Sequence, residues 1–380
     1  MINISDLMLE EHLSFDDALD FAQIKYESTE PIYLPTFPEP YEIRTFHHFK
    51  TPVFRLVGDG PHASRIRVTS PHAGILIDQR RVSPDRGWSC LIGGIGFDVH
   101  TGFPGERAPL AIWGQGTENH MQAMVELSQV QFGSPDKRSP TQGGPERNYP
   151  DAWLDLSGVI AATIQKCNFA GQRRGPENLE SSYFPIAPIR ISADAGLVSE
   201  PDGNLHSARS MKLTIKDCNF APGCRYPIFV EDDAWTEGLT IADNRMVDVW
   251  GGILFKANPS NHGTGTALDI RDNHINFRRA GIDVQQGVAD IRGNYLLPHA
   301  KGAFGARSFH IRLGSETGPI GPTLSHIRHN NLGISDPKNH PEFGIYIGAG
   351  CDRITVGQNN VQRVDHEIYI SLGASNIVHV

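Results

Sequence analysis

The stretch from Leu213 to Leu296 repeats one short pattern at nearly the same phase. The pattern reads L-T-I-K-D-C-N-F from Leu213, L-T-I-A-D-N from Leu239, L-D-I-R-D-N from Leu268 and A-D-I-R-G-N from Ala289. A second pattern alternates with it, as P-I-F-V-E from Pro227, G-I-L-F-K from Gly252 and G-I-D-V-Q from Gly281. Apolar residues recur at every second position, and Gly, Pro, Asn or Asp bounds each run, so we expect short strands separated by turns.

The first pattern continues on both sides of this stretch. It begins again at Ala162 and Ser325, and in a looser form at Val125 and Arg353. We align seven asparagines as equivalent, with Gln131 in their place in the first of these turns: Asn168, Asn219, Asn244, Asn273, Asn294, Asn330 and Asn359. Successive equivalents lie 21 to 51 residues apart, which predicts a solenoid whose longer turns carry insertions. Because parallel strands stack at about 4.8 Å, each Asn can hydrogen-bond to its image in the next turn, and we expect an Asn ladder.

Stacked parallel strands with an Asn in phase resemble the right-handed parallel β-helix of the pectate lyase-like superfamily. This superfamily includes polysaccharide lyases, family-28-type glycoside hydrolases and phage tailspike depolymerases. The resemblance implies an all-β fold, namely a right-handed parallel β-helix with an N-terminal capping α-helix. The alternative is a β-sandwich with accidental similarity, but a sandwich is not expected to keep one Asn in phase over seven turns.

We expect a single β-helix domain over residues 1–380, because a solenoid lengthens without a second core. Residues 1–50 would form the N-terminal cap and the first strands, and residues 51–380 the coils. The predicted cap is one helix that follows Ser14, with Asp17 three residues on and with apolar residues at helical spacing, namely Phe15, Leu19, Ala22 and Tyr26. Loop insertions are expected around residues 80–110, 133–150, 171–187 and 193–210, where they would wall a groove along one face.

Charge and composition argue against several classes of partner. The net charge is −9 and the sequence pI is about 6.0, so no nucleic acid partner is expected. No apolar run approaches the ~20 residues of a membrane helix, so no membrane partner is expected either. The start, M-I-N-I-S-D-L-M-L-E-E-H, lacks the basic and apolar segments of a signal peptide. We expect an extracellular or virion-associated protein if the chain is processed or phage-derived, and a cytoplasmic protein otherwise.

The five cysteines are odd in number and lack the spacing of metal ligands. Cys167 and Cys218 occupy the same place in consecutive repeats. We therefore expect stacked thiols in the core, with a disulfide between them as the lesser alternative.

The second pattern indicates where chemistry is to be sought. In P-I-F-V-E, Ile228 and Val230 should point inward, so Phe229 and Glu231 should point outward. The first outward column then reads Ala111, Asp155, Arg190, Phe229, Leu254, Asp283, Arg312, Tyr346 and Tyr369, and the second reads Trp113, Ser157, Ser192, Glu231, Lys256, Gln285, Gly314, Gly348 and Ser371. These two columns, here called the strip, would form the floor for an extended glycan. We expect substrate contacts from Arg190, Gln285, Tyr346, Tyr369, Trp235 and Asp155, with Trp113 and Trp250 as further aromatic surfaces for sugar rings.

Basic residues of the strip favour a lyase. β-Elimination on a uronate needs a cation to neutralise the carboxylate and a base to take the α-proton. Lys256 and Arg312 are the predicted catalytic pair, and Tyr346 lies one turn beyond Arg312. Alternatively, the neutralising cation is a Ca²⁺ held by Glu231, Asp232 and Asp233, so the expected cofactor is either none or calcium.

Hydrolysis is the main alternative, with Glu231, Asp233 and Asp283 as the candidate acid and base. Inverting enzymes hold two carboxyl groups roughly 6.5–9.5 Å apart, and extended residues 231 and 233 would lie near 6.6 Å. The E-D-D-A run at Glu231 resembles the paired aspartates of the polygalacturonase family, but that family's N-T-D and G-H-G runs are absent. A third possibility is that Glu231 with Lys256, and Asp283 with Arg312, are exposed ion pairs of a non-catalytic carbohydrate-binding or structural β-helix. In each case the expected partner is a polysaccharide or oligosaccharide, and the chain is a monomer or a homotrimer.

Overall fold

The computed structural model describes most of the chain. The described residues are 1–25, 30–80, 89–99, 108–114, 124–133, 150–173, 180–199, 205–256, 267–298, 307–316, 318, 320–334 and 340–380. Their architecture is a right-handed parallel β-helix, as the sequence predicts. Among them, no helix has the length and hydropathy needed to cross a membrane.

Parallel ladders form three faces along the helix axis. The first face contains Ile2–Asn3, Ile32–Leu34, Val53–Gly58, Ser89–Gly93, Met124–Ser128, Ala162–Gln165, Thr214–Lys216, Leu239–Ala242, Ala267–Arg271, Val288–Arg292, His326–Arg328, Thr355–Val356 and Val378–His379. The second face contains Tyr41–Ile43, Arg65–Val68, Gly96–Val99, Gln131–Phe132, Asn168–Phe169, Asn219–Phe220, Tyr295–Pro298, Asn331–Leu332 and Asn360–Val361. The third face contains Phe46–Phe49, Gly74–Asp78, Leu110–Trp113, Ala152–Ser157, Ala187–Ile191, Ile228–Val230, Phe309–Leu313, Phe343–Ile347 and His366–Ile370.

Two long strands connect the second and third faces. Arg245–Phe255 and His274–Val284 each run across the corner and take part in both ladders. Their mutual pairing shifts register between Met246 and Gly251, where the chain turns the corner without leaving the sheet.

The N-terminal end is closed by helices, and the sequence predicted only one of them. Helix α1 spans Ile4–Glu10 and helix α2 spans Phe15–Lys25. Ser14 caps α2, since its Oγ accepts the Asp17 amide over 3.2 Å and donates to the Asp17 carboxylate over 2.6 Å. The predicted apolar positions of α2 that the structure describes are buried, and Tyr26 lies outside the described residues.

The interior is one continuous apolar cluster that extends from Ile2 to Val356. Side chains in equivalent places of successive turns stack on one another along its axis. Phe97, Phe132, Phe169 and Phe220 illustrate this stacking, with ring centroids 5.3, 5.0 and 4.9 Å apart. Stacking at this spacing buries apolar surface in every turn, which none of the short strands can do alone.

A stack of hydrogen-bonded asparagines is present, but it has five members instead of seven. Asn244, Asn273, Asn294, Asn330 and Asn359 form it, and each Nδ2 donates to the next Oδ1 over 2.9–3.0 Å. The residue before the Asn adopts the left-handed conformation in several turns, for example Asp243 and Asp272 with φ 57°.

The alignment of the two earlier asparagines with this stack was wrong by one residue. Asn219 pairs with Arg245 and is exposed, while the Cys218 amide donates to Asn244 Oδ1 over 3.0 Å. Asn168 pairs with Asn219, and Gln131 pairs with Asn168. All three therefore align with Arg245, one residue after the stacked Asn244. Cys167 and Cys218 occupy its earlier places instead. They are buried and free, which confirms the predicted stacked thiols and not the disulfide.

Short secondary structures also occur within the predicted insertions. Gln172–Arg173 pairs antiparallel with Tyr183–Phe184, next to a 3₁₀ turn at Glu180–Ser182. Leu197–Ser199 pairs antiparallel with Leu205–Ser207, and Arg209–Met211 pairs in parallel with Trp235–Glu237. Of the insertions predicted around 80–110 and 133–150, most residues lie outside the described part of the chain.

Substitution of Asn294 by Ala should destabilise the fold strongly. Asn294 is 1% exposed, its Oδ1 accepts from both the amide and the Nδ2 of Asn273, and its Nδ2 donates to Asn330 and to the Ile270 carbonyl. Removing these groups leaves buried donors and acceptors unpaired, so we expect the free energy of unfolding to fall by about 3 kcal/mol in a urea titration.

Asn168→Ala is the matched control. Asn168 is exposed, and within the described part of the chain its side chain takes part in one hydrogen bond, which its Oδ1 accepts from Asn219 Nδ2 over 3.2 Å. A much smaller loss is expected there. Equal losses for the two variants would contradict the assignment of the stack.

Candidate functional site

The third face presents the outward columns in the register that the sequence predicts. Successive pairings join Ala111, Asp155, Arg190, Phe229, Leu254, Asp283, Arg312, Tyr346 and Tyr369 in one row. The neighbouring inward positions, such as Ile228 and Val230, are fully buried. The second column follows the same register, since the amides of Glu231, Lys256 and Gln285 each donate to the preceding turn over 2.9–3.0 Å.

A cleft of about 340 Å³ lies over four turns of the strip. Its predicted members are Phe229, Leu254, Lys256, Asp283, Gln285 and Arg312. Six further residues line it that the sequence did not indicate: Glu180, Ile186, Arg225, Tyr226, Arg279 and Ala280. The cleft therefore carries four basic side chains against two carboxylates, in a protein whose net charge is −9.

Asp283 and Arg312 form a two-pronged ion pair at the base of the cleft. Arg312 donates from Nε to Asp283 Oδ1 over 2.9 Å, and from Nη2 to Oδ2. Asp283 is 7% exposed and Arg312 is 15% exposed. Burial lowers the pKa of Arg312, but the Asp283 carboxylate outweighs this and raises it overall. The guanidinium is thus held charged and in a fixed plane.

Lys256 has more freedom than Arg312. Its Nζ lies 3.7 Å from Asp232 Oδ1 and 5.7 Å from the centroid of the Phe229 ring. The side chain is 36% exposed, and Asp232 is 67% exposed, so this ion pair is solvated and weak. The ammonium can therefore reorient toward a ligand at low cost.

Tyr226, Glu180 and Arg279 form a wall on one side of the cleft. The Tyr226 hydroxyl donates to Glu180 Oε1 over 3.0 Å, and Glu180 Oε2 lies 3.9 Å from Arg279 Nη1. Burial, with the nearby Glu180 carboxylate, raises the pKa of Tyr226 well above its ordinary value, so the phenol is neutral at pH 7. The outward columns do not contain these residues. Arg225 and Arg279 could have been found from the sequence, because each lies three residues before the buried isoleucine of its turn.

A second polar cluster is centred on Arg190, further toward the N-terminus. Its Nε donates to Asp155 Oδ1 over 3.1 Å, its Nη2 donates to Asp194 over 2.7 Å, and its Nη1 lies 3.5 Å from Glu231 Oε1. Burial raises the pKa of Asp155 and of Glu231, although Arg190 acts in the opposite direction on both. Trp113 Nε1 also donates to Asp155, over 3.3 Å.

The predicted aromatic contacts with substrate need correction. Tyr346 is 1% exposed, because it packs among Phe309, Phe343 and Tyr369. The next turn covers the outward side of Tyr346. Of these two tyrosines, only Tyr369 is exposed, with 37% of its surface accessible.

Two tryptophans also differ from expectation. Trp250 is 3% exposed and packs on Tyr183. Trp235 lies outside the strip, in the parallel pair with Arg209–Met211, and the Arg209 guanidinium carbon is 3.7 Å from its ring centroid.

The acidic triplet does not converge on one point. Glu231 lies beside Arg190, whereas Asp232 lies beside Lys256, and Asp232 and Asp233 are exposed. Within the described part of the chain, no three His, Cys, Asp or Glu side chains are grouped so that they could hold a metal ion. Calcium binding stays a prediction.

Comparison with known proteins identifies the fold. No family model and no curated protein sequence matches the chain. The catalytic domain of Agl-KA is similar over 100% of this chain and 68% of its own, with 12% identity and a TM-score of 0.55. A PL6 alginate lyase complexed with a trisaccharide matches 96% of this chain and 82% of its own, with 11% identity and a TM-score of 0.47. DFA-IIIase from Arthrobacter chlorophenolicus A6, in complex with GF2, matches 91% of this chain and 93% of its own, with 10% identity and a TM-score of 0.47. The likeness to the Agl-KA catalytic domain confirms the predicted right-handed β-helix fold.

Removal of Asp283 should cost stability because it leaves Arg312 charged and poorly solvated. We expect Asp283→Ala to lower the free energy of unfolding by about 3 kcal/mol, since loss of one partner of a buried ion pair leaves the other uncompensated. The double variant Asp283→Ala with Arg312→Met should recover part of that loss, because it removes the stranded charge as well.

The control is Asp233→Ala, an exposed carboxylate of the same region. It should leave the free energy of unfolding unchanged. A double variant no more stable than Asp283→Ala alone would show that the ion pair does not dominate this site.

Proposed function

We propose that the protein is a polysaccharide lyase that cleaves a uronate-containing glycan by β-elimination in the cleft of the third face. One observation carries the proposal: four consecutive turns contribute one basic side chain each to the cleft, in the order Arg225, Lys256, Arg279 and Arg312. Such a row favours an anionic ligand over a neutral one. The outward strip continues beyond the cleft at both ends, which suits a polymer.

Arg312 is the residue best suited to neutralise the uronate carboxylate. Asp283 fixes the plane of its guanidinium through Nε and Nη2, so that Nη1 is left to meet a substrate oxygen. Contact with this cation stabilises the negative charge that develops on the carboxylate when the α-proton leaves. Asp283 is thus a positioning residue.

Lys256 is the proposed base. Its amine takes the α-proton, the double bond forms between the α- and β-carbons, and the bond from the β-carbon to the glycosidic oxygen breaks. The resulting ammonium then returns that proton to the leaving oxygen, so that a new chain end and an unsaturated uronate are formed. The solvated contact of Lys256 with Asp232 leaves the amine free to approach both atoms.

Hydrolysis is the second candidate, and the Arg190 cluster favours it. Burial raises the pKa of both Asp155 and Glu231, and a carboxyl group whose pKa is raised is better suited to act as a general acid. Asp233, which is exposed and lies two residues after Glu231, would then be the candidate base. Asp283 is less suited to this role, because both of its oxygens accept from Arg312.

The test is to incubate the protein with a panel of acidic and neutral polysaccharides and to follow absorbance near 235 nm together with reducing ends. Rising absorbance with new ends is expected on an acidic glycan. Lys256→Ala and Arg312→Ala should each reduce the rate by about a hundredfold or more, as expected for loss of a base or of a charge-stabilising group.

Lys216→Ala, on the first face, is the matched control and should keep the wild-type rate. Melting temperatures of all variants separate loss of chemistry from loss of fold. Full activity in both Lys256→Ala and Arg312→Ala would contradict the proposed lyase mechanism. New ends without absorbance, abolished by Glu231→Gln, would establish the hydrolase instead.

A further inference from the structure

The lyase chemistry leaves two arginines of the cleft unassigned. Arg225 and Arg279 each lie three residues before the buried isoleucine of their turns, whereas Lys256 lies three residues after the equivalent isoleucine of the turn between them. Since all strands of the third face run in the same direction, the arginines and the lysine lie on opposite sides of the strip. Arg225 and Arg279 are here called the arginine rim.

The arginine rim has hydrogen-bonding capacity to spare. Arg225 Nε is buried and has no hydrogen-bond partner among the described residues, and its guanidinium carbon lies 5.9 Å from the centroid of the Phe184 ring. Arg279 lies 3.9 Å from Glu180, which is beyond hydrogen-bonding distance. A buried donor without an acceptor is costly, which marks Arg225 as a side chain that the described residues do not fully pair. Both arginines line the cleft, where a ligand can meet their guanidinium groups.

The spacing of the basic groups matches a chain of acidic sugars. Arg225 and Arg279 are two turns apart, which is roughly 10 Å along the axis, and Lys256 belongs to the turn between them. Basic groups therefore alternate between the two sides of the strip from one turn to the next. A pyranose chain in a twofold extended conformation, in which successive sugars are flipped, presents successive carboxylates to alternate sides in the same way.

We infer that the arginine rim is a carboxylate-binding subsite for every second sugar of a run of consecutive uronates, while Lys256 faces the sugar between them. The inference rests on the proposed function for the class of ligand, but it concerns binding and not the elimination itself. Arg225 and Arg279 are accordingly specificity-determining residues, and a glycan without its carboxylates loses their contribution.

The test is equilibrium binding by calorimetry, with hexamers of galacturonate and of mannuronate as probes, each as the free acid and as the full methyl ester. Wild-type protein should bind one of the free acids at least tenfold more tightly than its ester. Arg225→Gln and Arg279→Gln should each weaken binding of that acid about tenfold, because each loses a charge-assisted hydrogen bond, and should leave ester binding unchanged. Arg271→Gln on the first face is the control, with side-chain exposure of 35% against 32% for Arg279, and it should match the wild type.

Three results would overturn the inference: wild-type protein that binds no free acid better than its ester, arginine-rim variants that bind like Arg271→Gln, or equal losses for acid and ester. The outcome is separate from that of the lyase proposal. Selective loss of acid binding, in a protein that yields no absorbance near 235 nm, would leave the subsite standing and refute only the elimination chemistry.

Discussion

Backbone hydrogen bonding between successive turns determines where the outward side chains of the strip lie. The amide of Lys256 donates to the Val230 carbonyl over 3.0 Å, and the amide of Gln285 donates to the Phe255 carbonyl over 2.9 Å. Each such bond places a turn one strand spacing from the last and in fixed register. An insertion between two strands does not alter that register, so turns of very different length still align their outward side chains. The floor of the cleft is formed by the outward residues of four consecutive turns, and residues outside the two columns form its wall.

The same constraint explains why charge can be buried on the strip. A carboxylate taken out of water is costly unless a partner is held against it, and the fixed register holds that partner one turn away. Asp283 with Arg312, and Asp155 with Arg190, are pairs of this kind. Pairs with such burial are weak evidence of stabilisation, but they fix the orientation of a guanidinium, which is what recognition of a carboxylate requires. In the proposed mechanism the solvated Lys256 is the complement, since a base must be able to approach the proton that it takes.

How much the sequence could predict follows from which features are periodic. The outward columns were found correctly, because alternation within a strand and register between strands are both visible in the residues. The earlier members of the Asn stack were predicted with an error of one residue. Asn219 and Asn244 follow similar runs of residues, but Cys218, and not Asn219, occupies the place equivalent to Asn244. Glu180 was missed altogether, because its place over the cleft depends on the path of an insertion and not on any period.

The sequence pattern also could not predict how far each outward side chain is exposed to solvent. The exposure of an outward side chain also depends on what the neighbouring turns pack against it, and around Tyr346 the aromatic residues of successive turns cover one another. Tyr346 is buried for this reason, although it has the same outward place as Arg312 one turn earlier. Facing outward thus differs from being available to a ligand.

Charge on the whole molecule and charge in the cleft act over different distances. The net charge of −9 repels an anionic polymer at long range, but at physiological ionic strength this repulsion is screened beyond about 8 Å. Inside the cleft the basic side chains are partly desolvated, so their attraction is screened much less. Under the proposed function, a polyanion would therefore be bound where its carboxylates meet the basic row in register. With a net charge of −9 and four basic side chains gathered in the cleft, carboxylates are in excess over the rest of the chain, so the overall charge would disfavour binding at other places and contribute to specificity for the cleft.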